Sequence, residues 1–195
     1  MLNRKLNITL ITTLCCLLTG CGGVRTTGFL DQPEARGEVP PELPARILIL
    51  PFEGDIKVSD WIEEVVRDNL YLLGFKVVDY DDLEQTRDEN QPALLDLPGD
   101  AFRDSLLQVH EIDGMLKGKV ITSNKLTSIV GSIKLELFRV ETGQIIWIGS
   151  IDSQKWSVKG EKQRSDVRES TTMLMEQIAE DIEEFREALP ERETD

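Results

Sequence analysis

Cysteine and histidine are almost absent from this sequence. Its 195 residues include three cysteines, Cys15, Cys16 and Cys21, and one histidine, His110. Since no cysteine follows position 21, the rest of the chain offers no disulfide and no thiol chemistry. A single histidine excludes a His-Cys zinc site and a paired-histidine metalloprotease motif. We therefore predict that the protein has no metal site and no cofactor.

Basic residues are also scarce relative to acidic ones. The chain has 22 lysines and arginines against 36 aspartates and glutamates, which gives a formal net charge of -14 at pH 7. A protein with this charge is repelled by nucleic acids and by anionic lipid headgroups. The composition therefore excludes a nucleic-acid partner, and we expect attachment to a membrane to depend on covalent lipid.

The sequence also lacks the residue sets of common enzymes. No Ser-His-Asp set can be built around one histidine, and no glycine-rich phosphate-binding loop is present. A pair of carboxylates could still act as it does in glycosidases, but nothing singles out two of the 36 acidic residues. We therefore predict that the protein is not an enzyme.

What the sequence does contain is a processing signal near its start. Leu18-Thr19-Gly20-Cys21 follows the basic pair Arg4-Lys5 and an apolar segment over residues 6–18, and it resembles the lipobox of bacterial lipoproteins. The apolar segment is shorter than the ~20 residues that span a bilayer. The resemblance implies that residues 1–20 are a cleaved signal peptide and that Cys21 carries lipid, including an N-acyl chain such as palmitate. The alternative is an ordinary secretory signal followed by an ordinary cysteine.

The residues after Cys21 bear on location and reach. Gly22 and Gly23 stand where many inner-membrane lipoproteins have aspartate, and the same resemblance therefore implies the outer membrane, with the domain facing the periplasm. Residues 21–45 are rich in glycine and proline, which predicts a lipidated amino terminus followed by a flexible linker. Such a linker lets the domain stand off the membrane or lie against it.

Apolar periodicity predicts one α/β domain over residues 46–189 and a tail over 190–195. Strands are predicted over 46–52, 75–80, 115–121, 129–140 and 145–151, and helices over 59–73, from near Asp81, from Asp100 to about 109 and from about 160 to Pro190. With the two helical segments between the second and third strands written as one, the order is β-α-β-α-β-β-β-α. It begins with a right-handed parallel crossover and ends with an antiparallel meander and a helix. We expect a mixed parallel and antiparallel sheet with helices packed on it.

Acidic residues are concentrated over positions 79–89. A calcium loop is one interpretation, but Leu83 interrupts the alternating acidic ligands that an EF-hand requires. A short solvated helix is the simpler interpretation. In the final helix, we expect Asp181 and the neighbouring glutamates to face solvent.

Four segments, taken in order, resemble a known group of envelope proteins. They are the strand ending in Pro-Phe over 47–52, the LLGFKVV segment over 72–78, the DGMLKGKV segment over 113–120 and the hairpin over 135–147. Together they are similar to small lipoproteins and periplasmic modules related to the amino-terminal domain of TolB. That group includes the curli-secretion channel lipoprotein, the lipoprotein of Pel polysaccharide export and the lipoprotein activator of penicillin-binding proteins. The resemblance covers about residues 46–189.

The resemblance implies a non-enzymatic protein with protein partners in the envelope, and it leaves homo-oligomers open. One function is an accessory component of an outer-membrane export or assembly system. The alternative is a regulator that activates a cell-wall synthesis enzyme. No segment is spare to build membrane-crossing hairpins, so we do not expect the chain to form a pore itself. Trp147 and Trp156 are candidate interface residues, because tryptophan is enriched at interfaces, although core packing explains them equally well.

Overall fold

The computed structural model describes residues 23–27, 42–87 and 92–188. Within these ranges the strands are β1 (Val24–Thr26), β2 (Arg46–Ile49), β3 (Lys76–Asp79), β4 (Gly114–Asn124), β5 (Ile129–Arg139) and β6 (Ile145–Trp156). The α-helices are α1 (Ile56–Leu72), α2 (Tyr80–Gln85), α3 (Gly99–Asp104) and α4 (Gly160–Ala188), with a 3-10 turn at Leu94–Asp96 and a π-helical turn at Ser105–Val109. The strands form one sheet in the order β1-β6-β5-β4-β2-β3. The predicted mixed α/β fold is confirmed.

The parallel half of the sheet is centred on β2, which is buried on both faces. Ile47, Leu48 and Ile49 are 0%, 0% and 2% exposed. Side chains of α1 and α4 cover one face, and those of α2 and the short turns after it cover the other. β2 pairs in parallel with both β3 and β4, so the predicted parallel crossover through α1 is confirmed. A continuous apolar run suits a strand covered on both faces.

The antiparallel half is the predicted meander of β4, β5 and β6. The pairing of β4 with β5 extends from Gly114 and Arg139 to Asn124 and Ile129. On β5, side chains alternate between the core and the opposite face, as the sequence pattern predicts. The far end of the β4–β5 hairpin extends past the core, because every residue over 121–127 is exposed.

The final helix, α4, packs along the meander and against α1. Its predicted apolar stripe is confirmed by the burial of Val167, Leu174, Ile178, Ile182 and Phe185. On the outer side of the interface, Glu64 of α1 accepts hydrogen bonds from Arg164 and Arg168 of α4, each at 2.9 Å. These ion pairs fix how the two helices lie side by side.

The first helix begins earlier than predicted. Its N-cap is Asp55, since Asp55 Oδ1 accepts a hydrogen bond from the Val58 backbone N–H at 3.1 Å. The helix therefore starts at Ile56 instead of Ser59. As a result, Ser59 lies on the buried side of the first turns of α1.

Part of the predicted linker belongs to the sheet. β1 pairs antiparallel with β6, with Val24 opposite Ile151 and Thr26 opposite Gly149. Just past the strand, the backbone N–H of Thr27 donates to the carbonyl of Ile148 at 3.0 Å. The linker prediction is therefore wrong for β1, because three residues are too few to produce the alternation by which a strand is recognised. Residues 28–41 of the predicted linker lie outside the described residues.

Two glycines of the meander make room for tryptophan rings. A Cβ built on Gly149 would lie 2.2 Å from Cη2 of Trp147, and one on Gly131 would lie 2.1 Å from Cη2 of Trp156. Carbon atoms in contact are normally 3.5–4.0 Å apart, so about 1.5 Å of movement would be needed. The packing of the two indole rings therefore requires glycine at both positions.

We expect Gly149→Ala to destabilise the fold by about 1–3 kcal/mol, because the new methyl group overpacks the site beneath Trp147. Gly99→Ala is the matched control, since nothing lies within 4 Å of a Cβ at Gly99, and it should be neutral or stabilising by up to about 1 kcal/mol. Urea denaturation of both variants measures the difference. Equal stabilities for the two variants would contradict the packing argument.

Candidate functional site

The predicted lipidation site, Cys21, lies outside the described residues. The first described strand, β1, begins at Val24, three positions after Cys21 in the sequence. Three residues span at most about 10 Å when fully extended. The stretch of chain between Cys21 and the sheet is therefore short.

Trp147 and Trp156, the predicted interface residues, are both in the core. They are 0% and 1% exposed, beneath the apolar side of α4. The indole Nε1 of Trp147 donates to Asp181 Oδ2 at 2.7 Å, and that of Trp156 donates to Ser170 Oγ at 3.0 Å. The interface prediction is wrong for both residues, and the alternative of core packing is right.

A bulge near the end of β6 places Trp156 in the core. Ile151 faces the core, so strict alternation would place Trp156 on the opposite face. The register between β5 and β6 shifts between Gly131 and Ile133, and Ser153 in this part of β6 has a positive φ of 57°. One extra residue in a strand moves every later side chain to the other face. Trp156 is thereby returned to the core.

The sequence prediction is also wrong for Asp181 on α4. The sequence pattern predicts that it faces solvent, yet it is 7% exposed and buried against β6. Its two oxygens accept hydrogen bonds from Trp147 Nε1 and, at 3.3 Å, from Gln177 Nε2. A buried carboxylate needs such partners, and here they join the final helix to the meander. The predicted exposure of Glu176, Glu180, Glu183 and Glu184 is confirmed.

A cavity of about 200 Å³ lies at the carboxyl ends of the parallel strands β2 and β3. Ligands of α/β proteins commonly bind at this edge. The first turns of α1 form one wall, and the start of α2 forms another. Its polar side chains come from α1, β3 and α2: Ser59, Asp60, Glu63, Arg67, Asp79, Tyr80 and Asp81.

Glu63 is the electrostatic centre of this cavity. Its Oε1 accepts a hydrogen bond from the Phe52 backbone N–H at 2.8 Å. Burial raises the pKa of Glu63 above its ordinary value and outweighs the lowering effect of that hydrogen bond, with Asp60 and Asp79 adding to the rise. Burial in this wall therefore favours the protonated form of Glu63.

The other groups of the cavity are a paired arginine and a buried hydroxyl. Arg67 Nε donates to Asp79 Oδ1 at 2.9 Å, so its charge is already balanced. Ser59 Oγ is buried and has no hydrogen-bond partner among the described residues. With this arginine neutralised, the remaining wall is acidic, and the cavity suits a small donor of hydrogen bonds better than an anion.

Sequence reasoning did not find this cavity. Its acidic residues come from α1, β3 and α2, and only the parallel register of β2 with β3 brings those elements together. The helical interpretation of the acidic run is confirmed at Tyr80–Gln85, where Leu83 is buried. Within the described ranges, no group of three or more His, Cys, Asp or Glu side chains is placed to hold a metal ion.

We expect Glu63→Gln to stabilise the protein at neutral pH but not in acid. Since the pKa of Glu63 is higher in the folded than in the unfolded chain, the folded state binds more protons between the two values, and stability falls as pH rises through that window. The glutamine keeps an acceptor for Phe52 N–H and removes this dependence. Denaturation from pH 4 to 8 measures it, with the exposed Glu176→Gln as control. A loss of stability at neutral pH would contradict the assignment.

Comparisons with known proteins find similar structures but no sequence family. No family model matches the chain, and no curated protein matches it. A PelC dodecamer structure from Paraburkholderia phytofirmans is 16% identical, covering 83% of this chain and 98% of that one, with a TM-score of 0.48. Lipoprotein GNA1162 from Neisseria meningitidis is 20% identical, covering 70% and 99%, with a TM-score of 0.49. The LpoB C-terminal domain from Escherichia coli is 16% identical, covering 64% and 92%, with a TM-score of 0.40.

Likeness of this degree establishes neither a family nor a shared function. In the part of the chain that the structure describes, no helix combines the length and the apolarity that crossing a membrane requires.

Proposed function

We propose that this protein is a lipid-anchored, periplasm-facing, non-enzymatic accessory component of an outer-membrane export or envelope-assembly system. The anchor is the lipid on Cys21, which follows from the lipobox at Leu18–Cys21. The observation that carries the proposal beyond a general lipoprotein is the position of β1. This strand begins at Val24 and is paired with β6.

The pairing of β1 determines how far the domain can act from its membrane. Only Gly22 and Gly23 separate Cys21 from the sheet, a reach of about 10 Å. With the whole of 21–45 free, the reach would be several times greater. A regulator of a distant cell-wall enzyme needs that longer reach, whereas a component that works at the membrane surface does not. The short attachment therefore favours the export or assembly role over enzyme activation.

We expect Cys21→Ala to release the protein from the membrane fraction while leaving the fold intact, because the core contains no cysteine and the lipid supplies the binding energy. Cys16→Ala is the matched control and should stay in the membrane. Fractionation on a density gradient, with intact mass of the purified protein, measures attachment, membrane and lipid together. Membrane retention of Cys21→Ala, or an unmodified Cys21, would contradict the anchor.

A spacer insertion separates the two roles. Twenty Gly and Ser residues placed between Gly22 and Gly23 lengthen the attachment without touching β1. A component that acts at the membrane surface should lose its function, so a deletion strain should not be complemented for assembly of envelope polymers. If deletion instead slows incorporation of labelled peptidoglycan precursor, and the spacer variant restores it, the activator role is right and the export role is wrong.

A further inference from the structure

The chain enters the sheet at the start of β1, and this start lies toward one end of the sheet. β1 runs antiparallel to β6 with Val24 opposite Ile151, so the chain before Val24 heads toward the Trp156 end of β6. That end of β6 pairs with Ile129 at the start of β5, which pairs with Asn124 at the end of β4. Neighbouring strands are about 4.8 Å apart, so β1 and β4 are separated by only ~14 Å across the sheet. The start of β1, the β4–β5 turn and the β6–α4 loop therefore lie toward the same end of the sheet.

We define the distal surface as residues 120–131 together with 153–160, which form this end. It carries three of the large apolar side chains that the fold leaves exposed. Leu126, at the tip of the β4–β5 turn, is 104% exposed, Ile121 is 59% exposed and Val158 is 49% exposed. A fully exposed leucine on a projecting hairpin has no role in packing the domain, although scattered exposed apolar residues are normal.

The charge of the distal surface is opposite to that of the whole protein. It contains Lys125, Lys155 and Lys159 and no aspartate or glutamate, although the chain has 36 acidic residues. The flanking acids are Asp152 and Glu161. Lysines beside exposed apolar side chains are the pattern by which proteins bind the headgroup region of anionic membranes.

The backbone of the distal surface is held in place from both sides. In the β4–β5 turn, the N–H of Lys125 donates to the carbonyl of Ser128 at 2.8 Å. In the β6–α4 loop, Asp166 Oδ2 accepts from both the backbone N–H and the hydroxyl of Ser157, each at 2.7 Å. These hydrogen bonds hold the backbone of the two segments that carry Leu126 and Val158.

We propose that the distal surface docks on the membrane that holds the Cys21 lipid, with Leu126 inserted among the headgroups and the three lysines contacting anionic phospholipid. The inference rests on the proposed lipid anchor. Three residues before Val24 reach at most about 10 Å toward this end of the sheet, and the β4–β5 turn extends roughly 13 Å beyond that reach. A headgroup region is only about 5–7 Å thick on each side of the bilayer. A lipid held at Cys21 therefore draws the turn into the interface.

The test places an environment-sensitive fluorophore at the tip of the turn. In the processed, lipidated protein Cys15 and Cys16 are removed and Cys21 is blocked, so Leu126→Cys gives one reactive thiol. The labelled protein is reconstituted in vesicles of phosphatidylethanolamine and phosphatidylglycerol. We expect a blue shift of the probe emission and loss of quenching by aqueous iodide. The matched control is Leu72→Cys at the end of α1, which is 85% exposed and should stay accessible to iodide.

The outcomes separate this inference from the proposed function. Intact mass of the same preparation reports the lipid, and an unmodified Cys21 overturns both. A lipidated protein whose probe at position 126 stays accessible to iodide overturns the docking surface alone. Equal protection at 126 and 72 overturns it as well. Protection at 126 without vesicles, in protein produced without residues 1–21 and rising with concentration, shows that a second copy covers the surface instead.

A further variant tests the lysines. Replacing Lys125, Lys155 and Lys159 by glutamine in Leu126→Cys protein should remove the difference in blue shift between vesicles with and without phosphatidylglycerol. The same difference before and after the replacement overturns the contact with anionic phospholipid.

Discussion

The burial of β2 on both faces is the constraint on which the rest of the structure depends. The backbone N–H and C=O groups of a strand buried on both faces have little access to water, so they need a partner strand at each edge. β3 and β4 are those partners. Because both are parallel to β2 and lie on opposite sides of it, right-handed crossovers place the two connections on opposite faces of the sheet. The two apolar clusters of the domain follow from this requirement.

The same constraint shows which parts of the fold were predictable from sequence. Continuous apolar strands, amphipathic helices and the alternating hairpin have periodic signals, and each appears close to its predicted bounds. The predictions failed where no periodic signal bears on the outcome, as at Trp147 and Trp156, where the residue type alone suits an interface and a core equally. The positive φ of Ser153 reverses the phase of β6 and buries Trp156, and no pattern of apolar residues announces such a bulge. β1 has too few residues to show any period.

The distribution of charge shows a similar limit on predicting the candidate sites from sequence. The total composition indicates a protein that anionic surfaces repel. The fold, however, concentrates acidic and basic residues in different regions. The acidic residues of α1, β3 and α2 meet at the cavity around Glu63, whereas the end of the meander contains lysines and no acid over 120–131 and 153–160. Both features are legible in the sequence only after the register of the strands is known, because each combines segments far apart along the chain.

The pairing of β1 with β6 also sets an order of events. Thr27 and Ile148 are separated by 121 positions and form a backbone hydrogen bond across that gap. The segment that is synthesised and exported first therefore acquires its partner only after nearly all of the meander has formed, since long loops close late. Until then one edge of β6 remains open to other chains. Attachment of the chain to a membrane near its start keeps β1 close to the meander during this delay. The anchor therefore affects how quickly the sheet is completed.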